Sequence, residues 1–108
     1  MAEIVRIHPE RTRRMPEPLW RDVLGKRLRT LRERRAQTIT ETARRAGISP
    51  QYLSEIERGL KEPSSEMIAA VAGALGATLI DLTVQVTDDL RRREARESSG
   101  QVMLAIAA

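Results

Sequence analysis

The sequence predicts an all-α fold, with five helices in a compact domain and a helical extension behind it. Apolar residues recur at helical spacing in several segments, and most of these segments open with serine or threonine and end at glycine, as helices do. Aromatic residues are scarce, since Trp20 and Tyr52 are the two in the chain. The core must therefore consist of Leu, Ile, Val and Ala, which suits packed helices.

The first predicted helix covers residues 19–35, where Leu24, Leu28 and Leu31 form one apolar face. Its other faces are rich in arginine, so repulsion should weaken the isolated helix and packing must offset it. Residues 1–18 contain three prolines and are expected to form a flexible basic arm. Three arginines of this arm could reach a DNA minor groove, although a solvated tail is favoured. They are Arg11, Arg13 and Arg14.

The centre of the chain predicts two short helices joined by a tight turn. Thr38 and Glu41 have the spacing of a capping box at the start of the first helix. Gly47 suits the left-handed residue that ends it. Ser49–Pro50 then supplies an N-cap and a first helical residue, and Gly59 ends the second helix. Helices this short and this closely joined must cross steeply, which predicts a helix-turn-helix.

Two further helices are predicted after this motif. Ser64 should cap a fourth helix over residues 65–75, in which Gly73 and its alanine neighbours are expected to permit close helix contact. Thr78 should open a fifth helix at Leu79. The apolar spacing beyond it favours a helix that continues to about residue 96, whereas the alternating sequence T-V-Q-V-T also fits a strand.

Composition excludes several classes of protein. The chain has no cysteine and one histidine, His8, so disulfides, thiolate catalysis and histidine-based metal sites cannot form. We therefore expect no catalytic residue, no metal site, no cofactor and no enzyme activity. The net charge of +4 suits a polyanionic partner. Without an apolar stretch of membrane-spanning length, the chain is expected to be cytoplasmic and nucleoid-associated, with no membrane contact.

Residues 24–82 resemble the Cro/C1-type, or XRE, family of helix-turn-helix repressors, whose fold is lambda-repressor-like. The matching stretches are L-G-K-R-L-R-T-L-R, A-R-R-A-G-I-S, Y-L-S-E-I-E-R-G and P-S-S-E-M-I. More narrowly, the segment from Thr38 to Glu66 is similar to small actinobacterial regulators of Clp-protease genes. Two residues depart from the wider pattern, Ile39 where many members have glutamine and Thr42 where a leucine usually packs.

The resemblance implies double-stranded DNA as a partner and a recognition helix over residues 50–58. Gln51 falls where the family usually reads a base, and Glu55 lies one turn on. A carboxamide can pair with adenine and a carboxylate can accept from cytosine, while Pro50 can contact a thymine methyl group. Other residues would bind the phosphate backbone, although Tyr52 could instead close the apolar core. These phosphate-binding candidates are Thr38, Thr40, Ser49, Tyr52, Ser54, Arg58 and Lys61.

Two further roles concern structure and assembly. By resemblance, Arg32 and Glu57 should form a structural ion pair, since the family places paired residues at these positions. Apolar residues of the fifth helix and its extension are candidates for a two-fold homodimer interface, the alternative being a tail that packs on its own domain. The interface candidates are Leu79, Leu82, Val86 and Leu90.

The chain is thus divided into an arm (1–18), a helix-turn-helix domain (19–83), a dimerising extension (84–97) and a flexible linker with an apolar tail (98–108). The tail resembles degradation signals of Clp-type proteases at Leu104, Ala107 and Ala108. It could instead pack against the domain or a partner chain. No ligand-binding domain is evident, so no small-molecule ligand is expected.

We predict a dimeric regulator of a pseudo-palindromic operator. The resemblance to Clp-gene regulators implies activation of protease and stress genes, with RNA polymerase and a Clp-type protease as further partners. The alternative is an antitoxin-like or adaptor protein whose main partner is another protein, bound through residues 79–108.

Overall fold

The computed structural model describes the backbone of residues 17–107 and the side chains of residues 20–97 and 99. The described part contains helices and no strand, which confirms the predicted all-α fold. The predictions for the arm, with Arg11, Arg13 and Arg14, and for Ala108 lie outside the described residues. The helices are α1 (Glu17–Arg34), α2 (Ile39–Ala46), α3 (Pro50–Glu57), α4 (Ser65–Ala74) and α5 (Leu79–Ala107).

The predicted start of α1 at residue 19 is wrong by two residues, because the helix includes Glu17 and Pro18. A proline in the first turn of a helix removes no intrahelical hydrogen bond, since the first four backbone N–H groups have no partner there. The proline therefore lies inside the helix instead of marking the end of the arm.

Side-chain caps fix where the next helices begin. At α2, the Thr38 N–H donates to Glu41 Oε1 over 2.8 Å, and the Glu41 N–H donates to Thr38 Oγ1 over 3.1 Å. The hydroxyl of Ser49 accepts from a backbone N–H at the start of α3, and that of Ser64 does so at the start of α4. Thr78 and Asp81 repeat the reciprocal arrangement before α5. These caps satisfy backbone donors that each helix leaves unpaired.

Four helices enclose one apolar core, and α5 closes it. The first turns of α5 contribute Leu82 and Val86, each 1% exposed. The prediction that these two side chains form a dimer interface is therefore wrong, because their burial removes them from any surface that a second chain could contact. Leu90 is partly buried against the same core, whereas Leu79 remains 36% exposed. The buried apolar residues are Val23, Leu24, Leu28, Ala43, Leu53, Ile56, Val71, Ala72, Leu75, Leu82 and Val86.

The strand alternative for the T-V-Q-V-T segment is wrong, since α5 is continuous from Leu79 to Ala107. Core packing decides this, because Leu82, Val86 and Leu90 lie at intervals of four residues on one helix face. The flexible break predicted at residues 98–100 is also wrong. Serine and glycine each cost less than about 1 kcal/mol in a helix, and propagation of a formed helix is easy.

Close helix contact occurs at Gly25 in α1. A Cβ atom at this position would lie 2.5 Å from the carbonyl oxygen of Glu57 and closer still to that of Ile56. The C-terminal end of α3 thus rests directly on the backbone of α1. In the alanine-rich stretch of α4, Ala72 is fully buried in the core, whereas Gly73 itself makes no close contact, because a Cβ atom there would meet nothing within 4 Å.

Among the described residues, no single helix is both apolar and long enough for a membrane span. The segments Ser65–Ala74 and Leu79–Glu97 satisfy the length and composition criteria only as a pair, across a bend of 99°.

Candidate nucleic-acid interface

The helices α2 and α3 form the predicted helix-turn-helix. The turn between them passes through Gly47, which has a left-handed φ of 76° and donates to the carbonyl oxygen of Arg44 over 3.2 Å. Ile48 then donates to the carbonyl oxygen of Ala43 over 3.0 Å, and Ala43 itself is fully buried. Because the side chain at this crossing is a single methyl group, the two helices approach closely and α3 projects its outer face.

The exposed face of α3 carries two polar side chains one turn apart. Gln51 is exposed and Glu55 is half-buried, and Gln51 Nε2 lies 3.5 Å from Glu55 Oε2. This distance is at the outer limit of a hydrogen bond. Both side chains therefore keep donor or acceptor groups that can bind a ligand. Pro50 is exposed beside them at the first position of the helix. The three predicted base-reading residues therefore share one surface.

The predicted phosphate-binding residues fall into three groups. Thr40, Arg58 and Lys61 are exposed. Thr38 and Ser49 are exposed too, and their hydroxyl oxygens accept from backbone N–H groups as helix caps. Each hydroxyl keeps its proton for donation to an anion, since capping uses the oxygen alone.

Tyr52 and Ser54 form the third group and are half-buried. The Tyr52 ring packs against the core cluster, which supports the alternative of a side chain that closes the apolar core. Four exposed cations lie before and after α3 in the chain. These are Arg44 and Arg45 in the last turn of α2, and Arg58 and Lys61 after α3. The loop behind them is tied to α1 by Arg21, whose Nη1 lies 3.5 Å from Glu62 Oε1.

The far end of α3 is held by the ion pair that the family resemblance implied. Arg32 Nε and Nη2 donate to the two oxygens of Glu57 over 2.7 and 3.0 Å, and Arg32 Nη1 donates to the carbonyl oxygen of Gln37 over 2.9 Å. The side chains are 12% and 6% exposed. The hydrogen bond to Glu57 raises the pKa of Arg32, against the opposing effect of burial. The pair therefore locks α3 to α1 inside the protein.

Three contacts made by α1 and α2 were not predicted from the sequence. Gly25, which allows α3 to contact α1, belongs to the L-G-K-R-L-R-T-L-R stretch, but nothing in the sequence indicated its packing role. Thr42, which replaces the usual leucine, is buried and donates to Gln37 Oε1 over 2.6 Å, so its hydroxyl is satisfied. Arg27 binds Asp89 of α5 through both carboxylate oxygens over 2.8 and 2.6 Å. A separation of 62 residues leaves no local pattern from which this pair could be predicted.

The described residues contain no group of three or more His, Asp or Glu side chains that could hold a metal ion. The chemistry on the exposed face of α3 is that of hydrogen bonding and charge. It can recognise base edges and phosphates, which is how major-groove readers use a capped helix.

Comparison with known proteins gives consistent results. A family model described as a helix-turn-helix domain matches residues 23–83. The transcriptional regulator ClgR of Mycobacterium tuberculosis is 41% identical over 76 residues, which cover 70% of this chain and 68% of that protein. The immunity repressor of Bacillus phage phi105 is 42% identical over 53 residues, or 49% of this chain and 37% of the repressor.

A solved structure shares the fold. The crystal structure of the clp gene regulator ClgR from Corynebacterium glutamicum aligns with a TM-score of 0.74 at 42% identity and covers 82% of this chain and 94% of that one. The predicted resemblance to regulators of Clp-protease genes is thereby confirmed. These similar proteins are helix-turn-helix transcriptional regulators, a family that does not consist of enzymes.

Proposed function

Because this chain belongs to the helix-turn-helix domain family of DNA-binding transcriptional regulators, we propose that it binds a pseudo-palindromic operator as a homodimer and regulates Clp-protease genes. One observation carries the proposal: a capped helix presents Gln51 and Glu55 together on an exposed face, while its other end is locked to α1 by Arg32 and Glu57. A rigid helix with two adjacent polar groups is suited to reading base edges in the major groove.

The side chains take different roles at the DNA. Gln51 pairs with an adenine edge and Glu55 accepts from cytosine N4, while Pro50 contacts a thymine methyl group. Thr38, Thr40 and Ser49 donate their hydroxyl protons to phosphate oxygens, and Arg58 and Lys61 neutralise phosphate charge. Ser54 completes the backbone contacts, and Tyr52 adds its hydroxyl from the edge of the core. The spacing of two recognition helices sets half-sites about one DNA turn apart.

The dimer uses the outer face of α5. Ile80 and Val84 stand one helical turn apart and are 74% and 54% exposed, whereas Leu79 lies on the Leu82 side of the first turn and is 36% exposed. Leu82 and Val86 point the opposite way into the core. The proposed two-fold interface therefore replaces the buried members of the predicted set with Ile80 and Val84, and Leu79 lies at its margin. An apolar stripe on the outside of a helix is the kind of surface that a second copy covers.

The regulated genes are inferred from the relatives. The ClgR protein of C. glutamicum is described as a clp gene regulator, and similarity over 82% of this chain supports the same targets here. We propose that the protein activates these genes through contact with RNA polymerase. A Clp-type protease then removes the activator through Leu104, Ala107 and Ala108. Replacing Ala107 and Ala108 with aspartate should lengthen the cellular half-life, and an unchanged half-life would exclude the degradation signal.

The direct test is selection of bound duplexes from fragmented genomic DNA. Wild-type protein should enrich a two-fold motif upstream of Clp-protease genes, and the Gln51→Ala/Glu55→Ala variant should lose the motif. Gln85→Ala/Glu94→Ala makes the same truncations on α5 and should enrich the wild-type motif. Equal, salt-sensitive retention of all fragments by every variant would mean that arginines bind backbone only, contradicting sequence-specific recognition.

Assembly is tested separately by sedimentation equilibrium. Wild-type protein should sediment as a dimer and Val84→Asp as a monomer, because a carboxylate in a desolvated apolar contact is unfavourable. The control Ala69→Asp adds the same charge at an exposed position of α4 and should leave the dimer intact. A wild-type monomer at all concentrations would contradict the dimer. A stoichiometric foreign protein bound through residues 79–108 would then favour the antitoxin-like or adaptor function.

A further inference from the structure

A cleft lies between α1 and the middle of α5, on the side of α1 away from the recognition helix. Its volume is about 320 Å³. Gly25 and Arg32 of α1 face α3, whereas Val23 and Arg27 occupy the opposite face of the same helix. DNA bound at α3 therefore does not occupy this cleft. The residues that line it are Val23, Lys26, Asp89, Arg92, Arg93 and Arg96.

The lining is strongly cationic. Four of the six lining residues carry a positive charge, and one, Asp89, carries a negative charge. The balance remains positive when the surrounding groups are included, because Arg27 adds a cation and Asp22 and Asp88 add carboxylates. Five cations then face three carboxylates. An open cleft with such a surplus attracts anions and raises their local concentration.

Neighbouring carboxylates hold several of these cations in place. Asp22 Oδ2 of α1 lies 3.1 Å from Arg93 Nη1 and 3.5 Å from Lys26 Nζ. Arg92 pairs with Asp89 Oδ1, the oxygen to which Arg27 Nη2 also donates. Arg96 has no ion-pair partner in the part of the chain that the structure describes. The guanidinium groups of Arg92 and Arg93 are thus positioned at the cleft before any ligand enters, which lowers the entropic cost of binding.

We propose that this cleft binds a small polyvalent anion of the phosphate class, such as pyrophosphate or the triphosphate group of a larger molecule. Arginine presents planar pairs of N–H donors that match phosphate oxygens bidentately. Arg92 and Arg96 lie one turn apart on α5, and Lys26 projects from α1 opposite them. A single carboxylate could engage only one of these groups, whereas two or three linked phosphates can engage them together. The volume is within the range of small-ligand sites.

The site was not foreseen from the sequence, where the absence of a separate ligand-binding domain indicated that no small molecule binds. Cations from two helices meet here only because α5 crosses α1. A bound anion bridges Lys26 of α1 to Arg92 and Arg96 of α5. It therefore stabilises the position of α5, and with it the outer face that carries Ile80 and Val84.

The experiment is calorimetric titration of the full chain with sodium pyrophosphate and with tripolyphosphate at fixed ionic strength, with sulfate as a comparison anion. We expect saturable binding of one anion per chain, tighter for tripolyphosphate than for sulfate. Arg92→Gln/Arg96→Gln should bind at least tenfold more weakly. The matched control Arg34→Gln/Arg91→Gln also removes two positive charges, on α1 and on the opposite face of α5, and should bind like the wild type.

Arg96→Gln alone, which removes no described ion pair, should weaken binding severalfold and leave the thermal unfolding temperature without anion unchanged. The proposal would be overturned if both double variants bound the anion equally weakly, or if several anions bound per chain. Either result would mean that the cations attract counterions in general. Unchanged binding in Arg92→Gln/Arg96→Gln would overturn the proposal as well. If that variant instead lost affinity for random duplex DNA with a shallower salt dependence, the cleft would be a DNA phosphate contact.

Discussion

Helix α1 makes two contacts of different character, one with the recognition helix α3 and one with α5. Against α3, the backbones touch at Gly25 and a buried ion pair joins Arg32 to Glu57. Against α5, Leu82 and Val86 join the same apolar core as α1, and outside it lie the Arg27–Asp89 and Arg93–Asp22 pairs and an open cleft. The first contact is closely packed down to the backbone, whereas the second adds partly exposed ion pairs to its apolar packing.

The difference teaches how one small domain can serve two purposes. A helix that reads bases must keep its side chains within a fraction of an ångström, which close backbone packing provides. A contact that includes partly exposed ion pairs responds to ions and to partners, because charged groups near solvent are sensitive to their surroundings. The following predictions test whether the two contacts differ in energy as they differ in structure.

The largest effect is expected from Arg32→Met. This change leaves the carboxylate of Glu57 buried without its partner, which should lower the free energy of unfolding by about 3–5 kcal/mol. Urea unfolding followed by circular dichroism measures the loss. The double variant Arg32→Met/Glu57→Leu removes both charges and should recover most of the lost stability. A loss below about 1 kcal/mol in Arg32→Met would show that the pair is not effectively buried.

The second largest effect is expected from Gly25→Ala. The new methyl group would collide with the Ile56 and Glu57 carbonyl groups, so α3 must move away and the free energy of unfolding should fall by about 1–3 kcal/mol. DNA affinity should fall as well, since the same displacement moves the recognition helix. Gly73→Ala is the matched control: it meets nothing within 4 Å and lies in a helix. Helix propensity should make it stabilising by about 0.5–1 kcal/mol. If the two substitutions changed the free energy of unfolding in the same direction, the packing described for Gly25 would be contradicted.

A smaller effect is expected from Arg27→Met, at the contact with α5. The side chains of Arg27 and Asp89 are 16% and 19% exposed, and Asp89 keeps Arg92 as a second partner. The loss in unfolding free energy should therefore be about 1–2 kcal/mol, less than for Arg32→Met. The same urea titration measures it. A loss as large as that of Arg32→Met would remove the distinction between the two contacts.

The smallest effect concerns pH. The hydrogen bond from Arg27 is the main cause that lowers the pKa of Asp89 below its ordinary value of 3.8, with Arg92 adding to it. A group whose pKa is lowered by folding stabilises the fold above its unfolded-state pKa. This contribution should disappear as the pH falls below 3.8 through the lower pKa of the folded state. Asp89→Asn should flatten the fall in stability over that acidic range, and an unchanged slope would contradict the role of Asp89.

Much of the recognition motif could be predicted because its signals are local. The hydroxyl cap and acidic partner at Thr38 and Glu41, the left-handed Gly47 and the Ser49–Pro50 start all lie within a few residues of the bonds that they make. Family resemblance added the Arg32–Glu57 pair, which spans 25 residues and which no local pattern indicates. The assignments of Pro50, Gln51 and Glu55 to bases stay predictions.

The errors came from the C-terminal half, where local signals conflict with packing. The β-branched alternation around Val84 allowed a strand, yet the core required Leu82 and Val86 on one helix face. Apolar residues of α5 were divided wrongly between core and surface, because spacing identifies a stripe without showing which side meets the domain. In the stretch around Gly73 the close packing is made by Ala72 and not by the glycine, while the close backbone contact at Gly25 was not predicted.

The sequence by itself determined where α2, α3, α4 and α5 begin, the turn of the helix-turn-helix and the family, since caps, glycines and apolar periods act over a few residues. Only the tertiary structure decided which face of α5 is buried, how Gly25 admits α3, and that Lys26 meets Arg92 and Arg96 in one cleft. These features depend on the crossing of distant helices, which is set by the packing of the whole core and not by any single segment.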